Sequence, residues 1–260
     1  MVVEAVPKVI GLIYAVAATG ILIALWRSQR FSRRRVLPVL AVSALFGFVI
    51  FTPVAPYQFQ LIVLRDMAAL GAPLPLAVAG LALFIAVALG FGRVFCSAVC
   101  PAGAVQELAF LAPVVKRGRA AGRFSSTVRA GFFLVFLAAG FSLSANLLAL
   151  LGFRDFFFLA ASSVSFFVFL GLVLLSTVVY RPFCRFVCPY GLLLALAAAR
   201  SRTKIRRTDA CINCGKCERV CPVDEAKIGD AKAECYLCGR CTENCPVDGA
   251  LLYGKEQKEI

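Results

Sequence analysis

Residues 211–224 read CINCGKCERVCPVD, and 24 positions further on residues 235–248 read CYLCGRCTENCPVD. Both are C-x2-C-x2-C-x3-C-P, a spacing whose thiolates wrap a cubane [4Fe–4S] cluster, the fourth cysteine of each run ligating the other cluster. The spacing therefore predicts one cluster on Cys211, Cys214, Cys217 and Cys245 and a second on Cys235, Cys238, Cys241 and Cys221. Three close ligands need a tight loop, and Gly215 and Gly239 fall inside it, where a positive φ costs little. Pro222 and Pro246 turn the chain after each run and withhold an amide donor. Zinc knuckles space their ligands differently, as C-x2-C pairs separated by a long gap.

The rest of the chain is apolar. Of 260 residues 61% are hydrophobic and the mean hydropathy is +0.86, the composition of a polytopic membrane protein. A formal charge of +14 invites a nucleic-acid reading, but Lys and Arg gather in short clusters beside apolar runs, the pattern of membrane topology. Membrane lipid is the expected partner, and no nucleic acid. All 12 cysteines lie in patterned motifs, and a cysteine-rich end facing a reducing cytoplasm suits clusters rather than disulfides. The sequence has no histidine, so it offers no ligand for His-bound haem and no imidazole for zinc or copper. No haem is expected.

Five apolar runs approach the roughly 20 residues a span requires: 9–26, 36–55, 76–94, 128–150 and 162–180. Arg27, Arg30, Arg33, Arg34 and Arg35 follow the first, which places the N-terminus outside and this cluster inside. Residues 56–75 form an outer connection with Arg65 and Asp66, and Arg154 and Asp155 mark another. Lys116, Arg117, Arg119 and Arg123 belong to an inner loop. The predicted architecture is an α-helical polytopic membrane protein with five spans, N-terminus outside and C-terminus inside. It divides into an extra N-terminal helix with its basic loop (1–35), a duplicated four-span membrane domain (36–199) ending in a short helix over 190–199, a basic linker (200–207), a two-cluster [4Fe–4S] domain (208–254) and a tail (255–260). The expected location is the cytoplasmic membrane, with the cluster domain on the cytoplasmic side.

The membrane part repeats. RVFCSAVCPAG from Arg93 and RPFCRFVCPYG from Arg181 share R-x-F-C-x-x-V-C-P-x-G at an offset of 88 residues, and the two Arg-Asp pairs recur at 89. Spans two and three thus resemble spans four and five in the same direction, a parallel repeat about an axis along the membrane normal. A C-x3-C spacing on an α-helix puts both sulfurs on one face, one turn apart. Across the pseudo-dyad, Cys96, Cys100, Cys184 and Cys188 supply four thiols, enough for a third cluster or a soft metal ion; redox-cycling thiols and simple packing are the alternatives. Arg93 and Arg181 are candidates to bind a quinone headgroup or tune a nearby centre, interfacial anchoring being the plain reading. The Arg-Asp pairs read as interfacial anchors or local ion pairs, or else as a quinone-headgroup or proton-exit site. Asn146 reads as a helix–helix hydrogen bond. Phe156, Phe157, Phe158, Phe166, Phe167 and Phe169 read as lipid-facing and packing aromatics.

The combination of FCSAVCP, FCRFVCP and two C-terminal cluster motifs resembles the NapH/MauN-type membrane polyferredoxins over about residues 35–251. That resemblance implies a membrane quinol dehydrogenase subunit in which quinol is the substrate, two [4Fe–4S] clusters take the electrons, and another redox subunit, ferredoxin-type or reductase, receives them. NapH itself has four spans and an inside N-terminus, so the first span here is a departure. Related membrane modules occur in the nitrous-oxide reductase regulator NosR and the cytochrome oxidase assembly factor CcoG. Metallocentre assembly or metal reduction, and a cluster-bearing membrane anchor, are therefore the other functions implied. No catalytic residue is assigned. Without histidine to hold a haem in the bilayer, these residues relay no electrons across roughly 30 Å of hydrocarbon, so a quinone site is expected in its inner half, near the cysteine motifs.

The cluster domain has too few residues for a large core, and the clusters act as its staple. Chelating the iron is expected to disorder residues 209–250 while the apolar helices persist. Limited proteolysis before and after chelation checks this; an apo domain as resistant as the loaded one refutes it.

Overall fold

Backbone donors and acceptors find no water in hydrocarbon, so apolar runs satisfy them internally as helices. The computed structural model describes residues 2–51, 55–70, 73–116 and 122–255. In chain order the first elements are α1 (Val2–Arg27), α2 (Arg33–Ile50), α3 (Ala55–Leu64), α4 (Met67–Leu70) and α5 (Leu74–Phe91). There follow α6 (Pro101–Phe110), α7 (Gly122–Leu143), α8 (Leu147–Leu150), α9 (Phe153–Phe157), α10 (Val164–Leu175) and α11 (Pro189–Ala199). The C-terminal part holds β1 (Thr203–Arg207), α12 (Lys216–Val220), α13 (Arg240–Glu243) and β2 (Leu251–Lys255). Arg117 and Arg119 of the expected inner loop, and residues 256–260 of the expected tail, lie outside the described residues.

Among the described residues, four helical segments are long and apolar enough to cross a membrane: Lys8–Arg27, Arg33–Leu64, Leu74–Phe91 and Phe124–Leu143. The expected fifth span at 162–180 is different. Its helix, α10, has 12 residues, about 18 Å at 1.5 Å per residue and short of the roughly 30 Å hydrocarbon core. Two hydroxyls end it by competing for its backbone carbonyls: Ser176 Oγ donates to Leu172 O at 2.9 Å and Thr177 Oγ1 to Leu174 O at 2.8 Å.

The connections expected at the outer face fold inward. Pro56, Tyr57, Gln60, Leu61 and Val63 of α3 are buried. Gln60 ties α3 to the α7–α8 break, its Nε2 donating to Ala145 O (3.2 Å) and its Oε1 accepting from Leu148 N (3.0 Å). Phe153, Phe156, Phe157 and Phe169 form a buried aromatic cluster, and the Phe153 ring lies 5.2 Å from that of Phe183, next to Cys184. A residue placed one bilayer away from the second cysteine motif thus touches it. These stretches are too polar to span, yet carry enough aromatic surface to be driven into the interior. Phe158 and Phe167 remain exposed, as expected of lipid-facing rings. Asn146 makes no helix–helix bond: it caps α8, accepting from Ala149 N at 2.9 Å.

The two R-x-F-C-x-x-V-C-P-x-G stretches adopt one local structure. Each opens with a π-turn, Phe95–Val99 or Phe183–Val187, and the closing cysteine donates its amide to the turn's first carbonyl (Cys100 to Phe95 O, 3.1 Å; Cys188 to Phe183 O, 2.9 Å). That cysteine is extended and becomes the N-cap of α6 or α11, with proline at the first helical position. The expected placement of both sulfurs one α-turn apart is therefore replaced by a π-turn and a sharp change of direction at proline.

Residues 200–207, read as a linker, are largely strand. β1 pairs antiparallel with β2, Thr203 opposite Lys255 and Ile205 opposite Tyr253, because Thr203, Ile205 and Tyr253 share a buried face. Gly215 (φ 67°) and Gly239 (φ 75°) precede α12 and α13 in the left-handed region, as the spacing required. This module is fastened to the membrane helices. Trp26 at the end of α1 is 2% exposed, stacks on Phe31 (4.0 Å) and meets Tyr253 (5.4 Å). Tyr253 donates its hydroxyl to Phe91 O (2.6 Å), and the Glu243 carboxylate accepts from Arg33 N (2.6 Å) at the positive end of α2. The basic segment 27–35 and the cysteine-rich module share one face of the molecule.

Truncating Trp26→Ala removes this joint at a cost of about 3–5 kcal/mol. Residues 200–255 are expected to become protease-sensitive at a lower temperature than in the parent protein. An unchanged temperature profile overturns the assignment.

Candidate metal centres

Three groups of four cysteines emerge. Cys211, Cys214, Cys217 and Cys245 line one cavity, with Ile212, Pro246, Val247 and Leu251 as its apolar wall. The last of the four, Cys245, comes from the second run. Cys214 and Ile212 are exposed, so this group lies at the surface.

The second group is deeper. Burial, together with the neighbouring thiols Cys235, Cys238 and Cys221, pushes the Cys241 thiol well above its ordinary range. Burial likewise pushes Cys235 up to about 12, and Cys221 and Cys238 add to the effect. Four thiols that repel one another's ionisation sit together, and Cys221 of the first run is among them. The Cys221 sulfur also accepts from Glu225 N at 3.4 Å.

The third group comes from the membrane motifs. Cys96, Cys100, Cys184 and Cys188 line a single cavity, along with Arg93, Pro56, Phe183 and Tyr190. Burial pushes the Cys184 thiol up to about 11, Arg181 opposing the shift; it pushes Cys188 well above the ordinary range, with Cys184, Cys100 and Cys96 adding to it. Donors point at the sulfurs: Gly191 N to Cys188 Sγ and Gln106 Nε2 to Cys184 Sγ, both 3.2 Å. The glycine ending each motif has a steric cause as well. A Cβ on Gly103 would stand 2.9 Å from Cys96 O, and one on Gly191 would stand 3.3 Å from both Cys184 O and Cys188 Sγ.

Four thiols crowded together and partly withdrawn from water do not readily all ionise unless a polyvalent cationic core compensates them, which is what iron in a thiolate-ligated cluster provides. Among the described residues, no three Cys, Asp or Glu side chains converge as ligands of a single metal ion. The first and third groups of sulfurs line cavities instead, a donor set that fits a cluster.

Two carboxylates that the sequence reading passed over join the second and third groups. Glu234, beside Cys235, is held by Arg93 (3.1 Å) and Arg129. Glu107 of α6 is held by Arg181 (3.0 Å) and Arg240 (2.6 Å). Burial opposes ionisation of Glu107, but Arg181 and Arg240 outweigh it and hold the carboxyl below its usual range. Arg181 also donates to the Cys96 and Ser97 carbonyls, binding the second motif to the first. Tyr236 donates its hydroxyl to Cys184 O at 3.2 Å. Glu107 carried a readable signal, being the lone acidic residue between Asp66 and Asp155. The expected outer Arg-Asp sites are turn features: Asp66 accepts from Ala69 N (3.0 Å) and Asp155 from Ser163 Oγ (2.6 Å).

Comparison with known proteins supports iron–sulfur binding. A family model described as a 4Fe-4S binding domain matches residues 73–120 and again 163–208, each stretch holding one membrane cysteine motif. A second model of the same description matches residues 205–224. A 52-residue stretch is 42% identical to YccM of Escherichia coli (strain K12), described as a candidate electron transport protein, and covers 20% of this chain and 15% of that protein. No solved structure matches significantly. The chain is a mostly helical iron–sulfur protein with 4Fe–4S binding domains.

Replacing Gly103 by Ala forces a Cβ onto the Cys96 carbonyl. Iron bound per chain is expected to fall while the C-terminal module keeps its share, measured by colorimetric iron analysis of purified protein. Full iron content in the variant refutes the role given to this glycine.

Proposed function

We propose that the protein is a membrane-bound electron-transfer protein that oxidises quinol and passes the electrons, through centres on its cytoplasmic face, to a partner reductase. The carrying observation is the cavity in which both membrane motifs place all four of their cysteines, next to the cysteine-rich module. In this reading Cys96, Cys100, Cys184 and Cys188 hold a third [4Fe–4S] cluster. Cys211, Cys214, Cys217 and Cys245 hold one of the other two, and Cys221, Cys235, Cys238 and Cys241 the other. When bound, such clusters supply one-electron carriers whose chemistry is their own.

The chain supplies position. The membrane helices bring the quinol to the cysteine motifs. Arg181 locks the two motifs together. Tyr236 links the Cys235 loop to the Cys184 carbonyl, a path of covalent bonds and one hydrogen bond. The exposed Cys211 group is the exit toward the partner, with Lys216 and Arg219 beside it on the surface. The NapH/MauN resemblance supports quinol as donor, and YccM, with its candidate electron-transport role, supports the class. The basic segment 27–35 and the attached module belong on the cytoplasmic side, with the N-terminus outside. The parallel repeat then pairs α2 and α5 with α7 and the broken path α8–α10. A metal-handling role is less well supported, since the described thiols ring a cavity rather than converge on one ion.

Purified full-length protein should bind about twelve irons, three clusters of four, and a quinol analogue should bleach its visible absorption under anaerobic conditions. About eight irons removes the membrane cluster; full iron without bleaching removes quinol as donor.

A further inference from the structure

At the junction between membrane motifs and module, each buried glutamate is shared by two arginines. Glu234 pairs with Arg93 and Arg129, and Glu107 with Arg181 and Arg240. Each Arg–Glu–Arg set therefore carries one positive charge in excess, and its members are buried. A buried net charge is costly unless an opposite charge faces it.

The unused donors show where that opposite charge belongs. Arg93 gives Nη1 to Glu234 and leaves Nε and Nη2 without acceptors, although it is 1% exposed. It lines the cavity formed with Cys96, Cys100, Cys184 and Cys188. Arg240 gives Nη2 to Glu107 and leaves Nη1 without an acceptor. It lies between Cys238 and Cys241 in the chain, and its guanidinium stands against the Cys238 side chain. Neither guanidinium is free to swing away: Arg93 lies over the Tyr236 ring at 4.1 Å, and Arg240 is 4.9 Å from both the Phe110 and Tyr180 rings.

We propose that Arg93 and Arg240 are counter-charges that set the reduction potentials of the centres held by the membrane cysteines and by the Cys221–Cys235–Cys238–Cys241 group. This rests on the reading that both groups hold clusters. Taking up one electron makes a thiolate-ligated centre more negative and breaks no bond. A nearby positive charge favours that state and raises the potential. Glu234 and Glu107 act in the opposite sense, each offsetting part of its arginine pair. Arg93 and Arg240 are thus positioning residues: they act through the sulfurs and touch no substrate.

The test is a dithionite potentiometric titration of the purified full chain, followed by electron paramagnetic resonance, with iron counted in each variant. Arg93→Gln is expected to move the membrane centre to a more negative potential. Arg240→Gln should do the same to its own centre, and Glu234→Gln should move the membrane centre the opposite way. The centre on Cys211, Cys214, Cys217 and Cys245, whose cavity neither arginine lines, should stay fixed. Unchanged potentials at full iron content overturn the proposal. So do shifts of the same sign in Arg93→Gln and Glu234→Gln, the mark of a merely structural disturbance. If Arg93→Gln loses iron, Glu234→Gln decides the matter. A parent protein with about eight irons defeats the membrane cluster itself, and Arg240→Gln alone then decides this proposal.

Discussion

Charge cannot be buried alone, and the junction between the membrane helices and the C-terminal module is organised around that constraint. Two carboxylates, Glu107 and Glu234, each satisfy arginines from different parts of the chain. Breaking either set leaves an uncompensated ion in low dielectric, far costlier than losing a surface pair. The arrangement thus makes a module of few residues a fixed part of the membrane domain. It also brings the Glu234–Arg240 loop, with Cys235 and Cys238, against the membrane motifs. Tyr236 and Leu237 are buried there, where an isolated module would expose them.

The same economy explains why the membrane part is not a bundle of equal spans. α3, α8 and α9 are short pieces that turn inward, and α10 ends early at Ser176 and Thr177. Backbone left unpaired by such breaks is tolerated at membrane depth only where protein surrounds it. Here Gln60 and Asn146 supply part of that satisfaction, and the Phe153–Phe156–Phe157–Phe169 cluster supplies the apolar packing. The inward pieces bring Pro56 and Phe153 close to the cysteine motifs, which makes a compact surrounding for the buried thiols.

Local rules were readable from residues because their causes are local. The crossed grouping with Cys245 follows from the spacing of two runs, and the structure brings those four sulfurs to one cavity. Gly215 and Gly239 adopt the left-handed conformation that a tight ligand loop demands. The repeated motif appears twice as one local structure, although as a π-turn, because the closing cysteine bonds back to the carbonyl five residues earlier. The strand at 203–207 was missed because its partner lies nearly 50 residues away, and a basic run beside a helix imitates a linker. The short α10 was missed because hydropathy alone does not register hydroxyls that compete for helix carbonyls.

What the sequence by itself determined is the inventory: eight cysteines in cluster spacing, two copies of a cysteine motif, apolar helices, and no histidine. Those follow from residue type and spacing, which act over a few bonds. Only the tertiary structure decided that Cys96, Cys100, Cys184 and Cys188 share one cavity. It alone revealed which carboxylate neutralises which arginine, and which guanidinium donors stay unused beside sulfur. The reason is physical: those facts depend on distances between groups 74 to 141 residues apart, such as Arg181 with Glu107 and Arg93 with Glu234, and packing alone sets such distances.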